Sequence, residues 1–102
     1  MASRLLDDAM HHVYILYSPS RDRYYTGQTA DMDRRLSFHA AGQTKSTRLV
    51  KDWHLVFRQS LPSRTDAMQL EHRLKKSKSR KTIQRFIRDP RNELQAPLPL
   101  AM

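Results

Sequence analysis

Hydrophobic and polar residues alternate in HHVYILY, residues 11–17, placing Val13, Ile15 and Tyr17 on one side and His12, Tyr14 and Leu16 on the other. Two-residue periodicity with β-branched and aromatic side chains predicts a strand. The next six residues, SPSRDR, carry Pro19, Asp22 and two serines, which favour a turn, and RYYTG then offers a second strand. An antiparallel hairpin is expected.

From Thr29 the period lengthens. Met32, Leu36 and Ala40 recur every fourth residue, Thr29 offers a cap, Asp31 and Asp33 suit a first turn, and Gly42 suits a helix end, so the spacing predicts a helix over 30–41. QTKSTRLVKD has little period. In WHLVFRQ, residues 53–59, Trp53, Leu55 and Phe57 alternate with His54 and Arg58, which predicts a third strand.

SRTDAMQLEHRLKK opens with Ser63 and Asp66 in a capping-box-like arrangement, and Ala67, Leu70 and Leu74 mark one helical face. SRKTIQRFIR groups Ile83, Phe86 and Ile87 on a face and stops before Pro90, as a short amphipathic helix would. The expected order is strand, strand, helix, strand, helix, helix. This is a small α+β domain over 11–88, with a three-stranded, mostly antiparallel sheet flanked by helices. Residues 1–10 and 89–102 show no comparable pattern and are expected to be flexible tails.

Charge narrows the choice of partner. The 102 residues hold 19 Lys and Arg against 10 Asp and Glu, a formal charge of +9. The excess lies in residues 41–91, with fourteen basic and four acidic residues, while residues 1–40 are balanced at five each. Such a field suits a polyanion or an anionic surface. The absence of cysteine excludes disulfides and thiolate metal sites and fits a reducing, cytoplasmic setting. No apolar run reaches the roughly 18 residues of a membrane span.

Six residues could carry chemistry, and each also has a structural explanation. Tyr14 and Tyr25 fill strand positions, but if the hairpin pairs, both phenols reach one sheet face, where a hydroxyl can hold or deprotonate a water. Gly27 serves either a tight turn or a close approach of backbone to phosphate. Arg35 either pairs with Asp31 or lies over the hairpin, where its planar fork would neutralise developing phosphate charge. His39 follows Arg35 by one turn on the same side of the helix. Glu71 either pairs with Lys75 or, at the edge of the buried face, ligates a hard cation such as Mg²⁺.

In this order the residues resemble the GIY-YIG nuclease superfamily, particularly its small bacterial branch, which is similar to the catalytic domain of the branched-DNA structure-specific nuclease subunit. HVYIL carries the first half-motif with Tyr14, and YTG carries the second with Tyr25 and Gly27. TADMDRRLSFH supplies Arg35 and His39, and LPSRTDAMQLEHRLKKSKSR supplies Glu71. The first half-motif lacks its glycine, and the GQTKSTR loop is shorter than that branch usually has.

The resemblance implies a DNA endonuclease acting with one divalent ion, Mg²⁺ or Mn²⁺, at Glu71. Arg35 would stabilise the transition state and Tyr14 would act on the attacking water, with Tyr25 and His39 in support. Lys45, Arg48, Lys51, Arg73, Lys75, Lys76, Lys78, Arg80 and Lys81 would follow the phosphate backbone. Single-stranded or branched DNA in repair, recombination or processing is the favoured substrate, with RNA an open alternative and a protein partner supplying targeting. The competing reading is a noncatalytic nucleic-acid-binding module or subunit; an acidic residue among so many bases favours the enzyme.

Overall fold

The computed structural model describes residues 10–45, 47–77 and 79–100. Strand β1 (His11–Ser18) pairs antiparallel with β2 (Arg23–Thr29) through the turn expected at 18–23. Asp22 adopts a positive φ of 51° there, its carboxylate accepts the Tyr17 hydroxyl at 2.7 Å, and Arg80 pairs with it from across the molecule.

Helix α1 (Met32–Ala40) starts two residues later than the spacing predicts. Its cap is Asp31, whose side chain accepts the Arg34 N–H, because Thr29 still belongs to β2 and bonds instead to the backbone of Asp31. Gly42 follows the helix at φ 72°, as a terminating glycine should. Helix α2 (Arg64–Ser77) is capped by Ser63, which accepts the Asp66 N–H at 3.1 Å. Helix α3 (Arg80–Ile87) is capped by Ser79.

Strand β3 (His54–Leu61) pairs with the outer side of β1, and its register corrects the expectation that Trp53, Leu55 and Phe57 form one row. Ile15 faces Phe57 while Leu16 faces Leu55, so Val56 is an extra residue, a β-bulge that shifts the phase. Phe57 therefore joins Val13, Ile15, Ala67, Leu70 and Leu74 in a core beneath α2 and α3. Trp53 and Leu55 join Tyr14, Leu16 and Met32 in a second core on the α1 face.

The sheet has four strands rather than three, in the order β2-β1-β3-β4. Strand β4 (Leu98–Pro99) comes from the segment expected to be a tail, and it pairs with His54 and Leu55. Proline is accepted because the strand lies at the sheet edge. Nearer the start of this segment, Asn92 bonds through its amide to the carbonyls of Val56 and Ile87 and accepts the N–H groups of Arg58 and Leu94. The free edge of β3 is thereby covered, a constraint that polarity and proline content do not reveal. The expected 1–10 tail lies outside the described residues except for Met10. Among the described residues no helix is long and apolar enough to cross a membrane.

Candidate active site

Pairing of β1 with β2 sets Tyr14 opposite Gly27 and Leu16 opposite Tyr25, so the two phenols share the face covered by α1. Their ring centroids are 6.4 Å apart. Gly27 does not make a tight turn. It lies within β2, its φ is not positive, and a Cβ there would meet the Tyr14 phenolic oxygen at 2.5 Å. The missing side chain is the space in which the Tyr14 ring lies.

From α1, His39 enters the same space. Its Nε2 lies 2.8 Å from the Tyr14 hydroxyl, and its ring meets both tyrosines nearly edge-on, at 5.6 Å from Tyr14 and 5.3 Å from Tyr25. Tyr14 and His39 are buried, at 1% and 3% exposure. The other nitrogen of His39, Nδ1, lies 2.8 Å from the Thr47 hydroxyl, and the Thr47 carbonyl accepts the Trp53 indole N–H at 3.0 Å. A continuous polar contact thus runs from the 41–53 connection through His39 to Tyr14.

The electrostatics follow from burial. Desolvation holds His39 down to about 4, with Arg35 adding to the effect, so the imidazole is neutral near neutral pH. Tyr14 is pushed well above an ordinary phenol, first by burial and then by the neighbouring Tyr25. Arg35 draws it back down, whereas the carboxylate of Glu71 pushes it up. Both charged residues therefore act on Tyr14, one from the helix on its own face and one from the helix behind the sheet.

Arg35 is half-buried and lines a hollow of about 340 Å³ with Thr29, Ala30, Asp31, Arg34 and Phe38. Among the described residues its guanidinium forms no ion pair, so the pairing with Asp31 that its spacing permits is not made. Glu71 is 20% exposed at its side chain and pairs with Lys75 at 3.1 Å. A larger cleft of about 480 Å³, lined by Tyr17, Tyr24, Ile87, Asn92 and Pro97 among others, contains none of the predicted catalytic residues.

Among the described residues no cluster of three or more His, Asp or Glu side chains could hold a metal. The donor chemistry still fits Mg²⁺ or Mn²⁺, because a hard cation that keeps most of its waters needs only one or two carboxylates when substrate phosphate supplies further oxygens. Glu71 is the acidic residue acting on Tyr14 that could provide that oxygen.

The basic residues are spread more widely. Lys45, Arg48, Lys51, Arg73, Lys75, Lys76 and Lys81 are exposed. Arg80 is committed to Asp22 and to the face of Tyr24, 5.2 Å from its ring centroid, and Lys75 is shared with Glu71. Lys78 lies outside the described residues. Sequence reasoning passed over Thr47, a buried residue in a stretch without periodicity, and only its three-dimensional contact with His39 draws attention to it.

Comparison with known proteins places this geometry in context. Residues 10–84 match the model of the GIY-YIG catalytic domain. The UPF0213 protein BH0048 of Halalkalibacterium halodurans is 40% identical over 75 residues, which are 72% of this chain and 79% of that protein. The UPF0213 protein VNG_2274C of Halobacterium salinarum is 42% identical over 67 residues, 65% of this chain and 86% of its own. The solution NMR structure of UPF0213 protein BH0048 from Bacillus halodurans aligns at 37% identity with a TM-score of 0.49, covering 76% of this chain and 82% of that one.

Proposed function

The chain belongs to the GIY-YIG superfamily of nucleases, alongside the UPF0213 proteins, and on that premise we propose that it is a DNA endonuclease dependent on one divalent cation. The observation that carries this reading is the buried Tyr14 hydroxyl, held 2.8 Å from His39 over a glycine, under the opposed influence of Arg35 and Glu71. A noncatalytic binding module has no use for a buried phenol on which a cation and a carboxylate act in opposite directions.

In this reading Tyr14 holds the attacking water and takes its proton as the oxygen approaches phosphorus, while the phenol's own hydrogen passes to the neutral imidazole of His39, 2.8 Å away. His39 and Tyr25 keep that phenol in place. Arg35 presents its planar fork to the charge that grows on the non-bridging oxygens. Glu71 would hold Mg²⁺ or Mn²⁺, whose Lewis acidity neutralises phosphate charge and eases departure of the leaving oxygen when the ion is bound. The exposed Lys45, Arg48, Lys51, Arg73, Lys75, Lys76 and Lys81 bind backbone phosphates, which makes affinity fall steeply with salt. These contacts do not read sequence, so single-stranded or branched DNA is the favoured substrate.

The test compares the wild type with Arg35→Ala and Glu71→Ala on labelled single-stranded, duplex, branched DNA and RNA, with Mg²⁺, Mn²⁺ or EDTA. Cleavage is expected only with metal and only by the wild type, with both variants down at least about a hundredfold. Equal cleavage by all three folded proteins, or cleavage in EDTA, would refute the mechanism. Binding without any cleavage by the wild type would establish the binding module instead.

A further inference from the structure

The larger cleft, of about 480 Å³, opens on the face of the sheet opposite to Tyr14. Its floor carries Tyr17 and Tyr24, cross-strand partners whose ring centroids are 4.7 Å apart. Both rings are held in place, because the Tyr17 hydroxyl donates to Asp22 at 2.7 Å and Arg80 lies over Tyr24, 5.2 Å from its centroid. One wall is the end of α3, with Gln84 and Arg88, and the other is the C-terminal segment, with Gln95 and Pro97. The volume is that of a site for a small molecule or a single planar group.

Three features define the chemistry of the occupant. Two adjacent aromatic rings offer a stacking surface. Gln84 and Gln95 each bring an amide with donors and an acceptor, as the edge of a nucleobase requires. Asn92, which also lines the cleft, spends its amide on the backbone, whereas those of Gln84 and Gln95 make no such bond among the described residues. Arg88 is exposed and forms no ion pair among the described residues, and no described Asp or Glu lines the cleft. A cation without a carboxylate beside it suits a phosphate. An apolar peptide or a lipid chain would cover the rings and leave these polar groups unpaired.

We propose that this cleft receives one unpaired nucleotide of the DNA, with its base against Tyr17 and between the Gln84 and Gln95 amides, and its phosphate at Arg88. That this nucleotide belongs to DNA about to be cut rests on the nuclease reading above. A base within a duplex is stacked on both sides and its pairing edge is used, so only a single-stranded or displaced nucleotide can enter. Selectivity for unpaired DNA therefore resides here, and not in the exposed lysines, whose phosphate contacts a duplex and a single strand share. The two sites are also adjacent across the sheet. Tyr24 and Tyr25 are consecutive in β2, the outermost strand, so one lies in the cleft and the other beside Tyr14 on the catalytic face. A strand held in the cleft passes the outer edge of β2 to reach the face that carries Tyr14.

The experiment measures binding of the full chain to fluorescein-labelled DNA of one length, in EDTA so that no metal-dependent cleavage intervenes. The DNA is a single strand, a duplex, and a single strand lacking its bases. The proteins are wild type, Tyr17→Leu, Tyr17→Phe and Arg88→Gln, each checked for folding by its amide proton–nitrogen spectrum. Wild type should bind the natural single strand about tenfold more tightly than the base-free strand. Tyr17→Leu should lose that advantage and leave duplex affinity unchanged, while Tyr17→Phe, which keeps the ring, should match wild type. Arg88→Gln should lower the slope of log Kd against log salt by about 0.7 on the single strand, with the duplex slope unchanged. Arg88 is exposed, so this variant decides the matter even if Tyr17→Leu does not fold. Adding the single strand should move the side-chain amide signals of Gln84 and Gln95, and adding the duplex should not. Equal affinity of wild type for the natural and base-free strands overturns the proposal. So does an equal effect of Tyr17→Leu or Arg88→Gln on single strand and duplex, or unmoved Gln84 and Gln95 signals. If the cleft passes these tests in a protein that cuts no DNA with any metal, the nuclease reading alone fails.

Discussion

Tyr14 and Gly27 are cross-strand partners, and the space left by the missing Cβ of Gly27 is filled by the Tyr14 phenol. A Cβ at that position would stand 2.5 Å from the oxygen and 2.6 Å from Cζ. Tyr14 is too deeply buried to swing aside freely, and shifting it breaks the contact to His39. Gly27→Ala should therefore cost about 1–3 kcal/mol of stability, the usual penalty for overpacking. It should also lower cleavage more than stability alone explains. Urea unfolding with parallel cleavage assays on folded protein checks both effects, and an alanine variant with wild-type behaviour would show that the ring is not confined there.

Acid stability depends on His39. In the unfolded chain this imidazole takes its proton near 6.5, whereas in the folded chain it does so only near 4. A depressed folded value means that the unfolded state binds more protons between these limits, so stability falls as pH drops from 6.5 to 4. Above 6.5 His39 contributes no pH dependence. The loss across the window is roughly 3 kcal/mol. Unfolding free energies measured from pH 7 to pH 4 should show it, and His39→Gln, which cannot titrate, should flatten the curve over that interval.

How much of this was legible in the sequence depends on whether the controlling contacts are local. The two-residue period of the hairpin suffices to bring Tyr14 and Tyr25 to one face, and the four-residue period of α1 puts Arg35 and His39 on one side. The bulge at Val56 was not legible, because Trp53, Leu55 and Phe57 alternate perfectly and only pairing with β1 reveals the extra residue. Thr47 was hidden for a related reason: its partner lies on another element, and a lone threonine in a polar loop carries no sign of burial. The purpose of Gly27 required knowing which ring lay across the hairpin.

The edge cover supplies a third prediction. Asn92 forms four hydrogen bonds: three tie it to β3 and to the end of α3, including one to the carbonyl of the bulged Val56, and the fourth accepts the Leu94 N–H within its own segment. Asn92→Ala leaves those backbone groups unpaired where they are partly buried, and should destabilise the domain by roughly 2 kcal/mol. Asn92→Asp keeps the accepting oxygen but loses the donors to Val56 and Ile87, and should fall between the two. The midpoint of urea unfolding ranks the three proteins; no change in Asn92→Ala would mean that the segment is not fastened through this residue.

Lys75 supplies the last prediction, because its ammonium pairs with the Glu71 carboxylate that would hold the cation. The pair is 3.1 Å apart in the favourable Glu-before-Lys spacing, with the lysine 56% exposed and the glutamate 20%. An exposed pair of this kind is worth only about 0.3–0.5 kcal/mol, so its removal should make the carboxylate about twofold more available. Lys75→Met should therefore lower the Mg²⁺ concentration giving half-maximal cleavage by about twofold, measured at saturating DNA so that a lost phosphate contact does not enter. If Lys75 instead acts chiefly on DNA, the Mg²⁺ requirement will stay unchanged while the Kd for DNA rises and its dependence on salt becomes shallower. The two titrations thus separate competition for Glu71 from contact with the phosphate backbone.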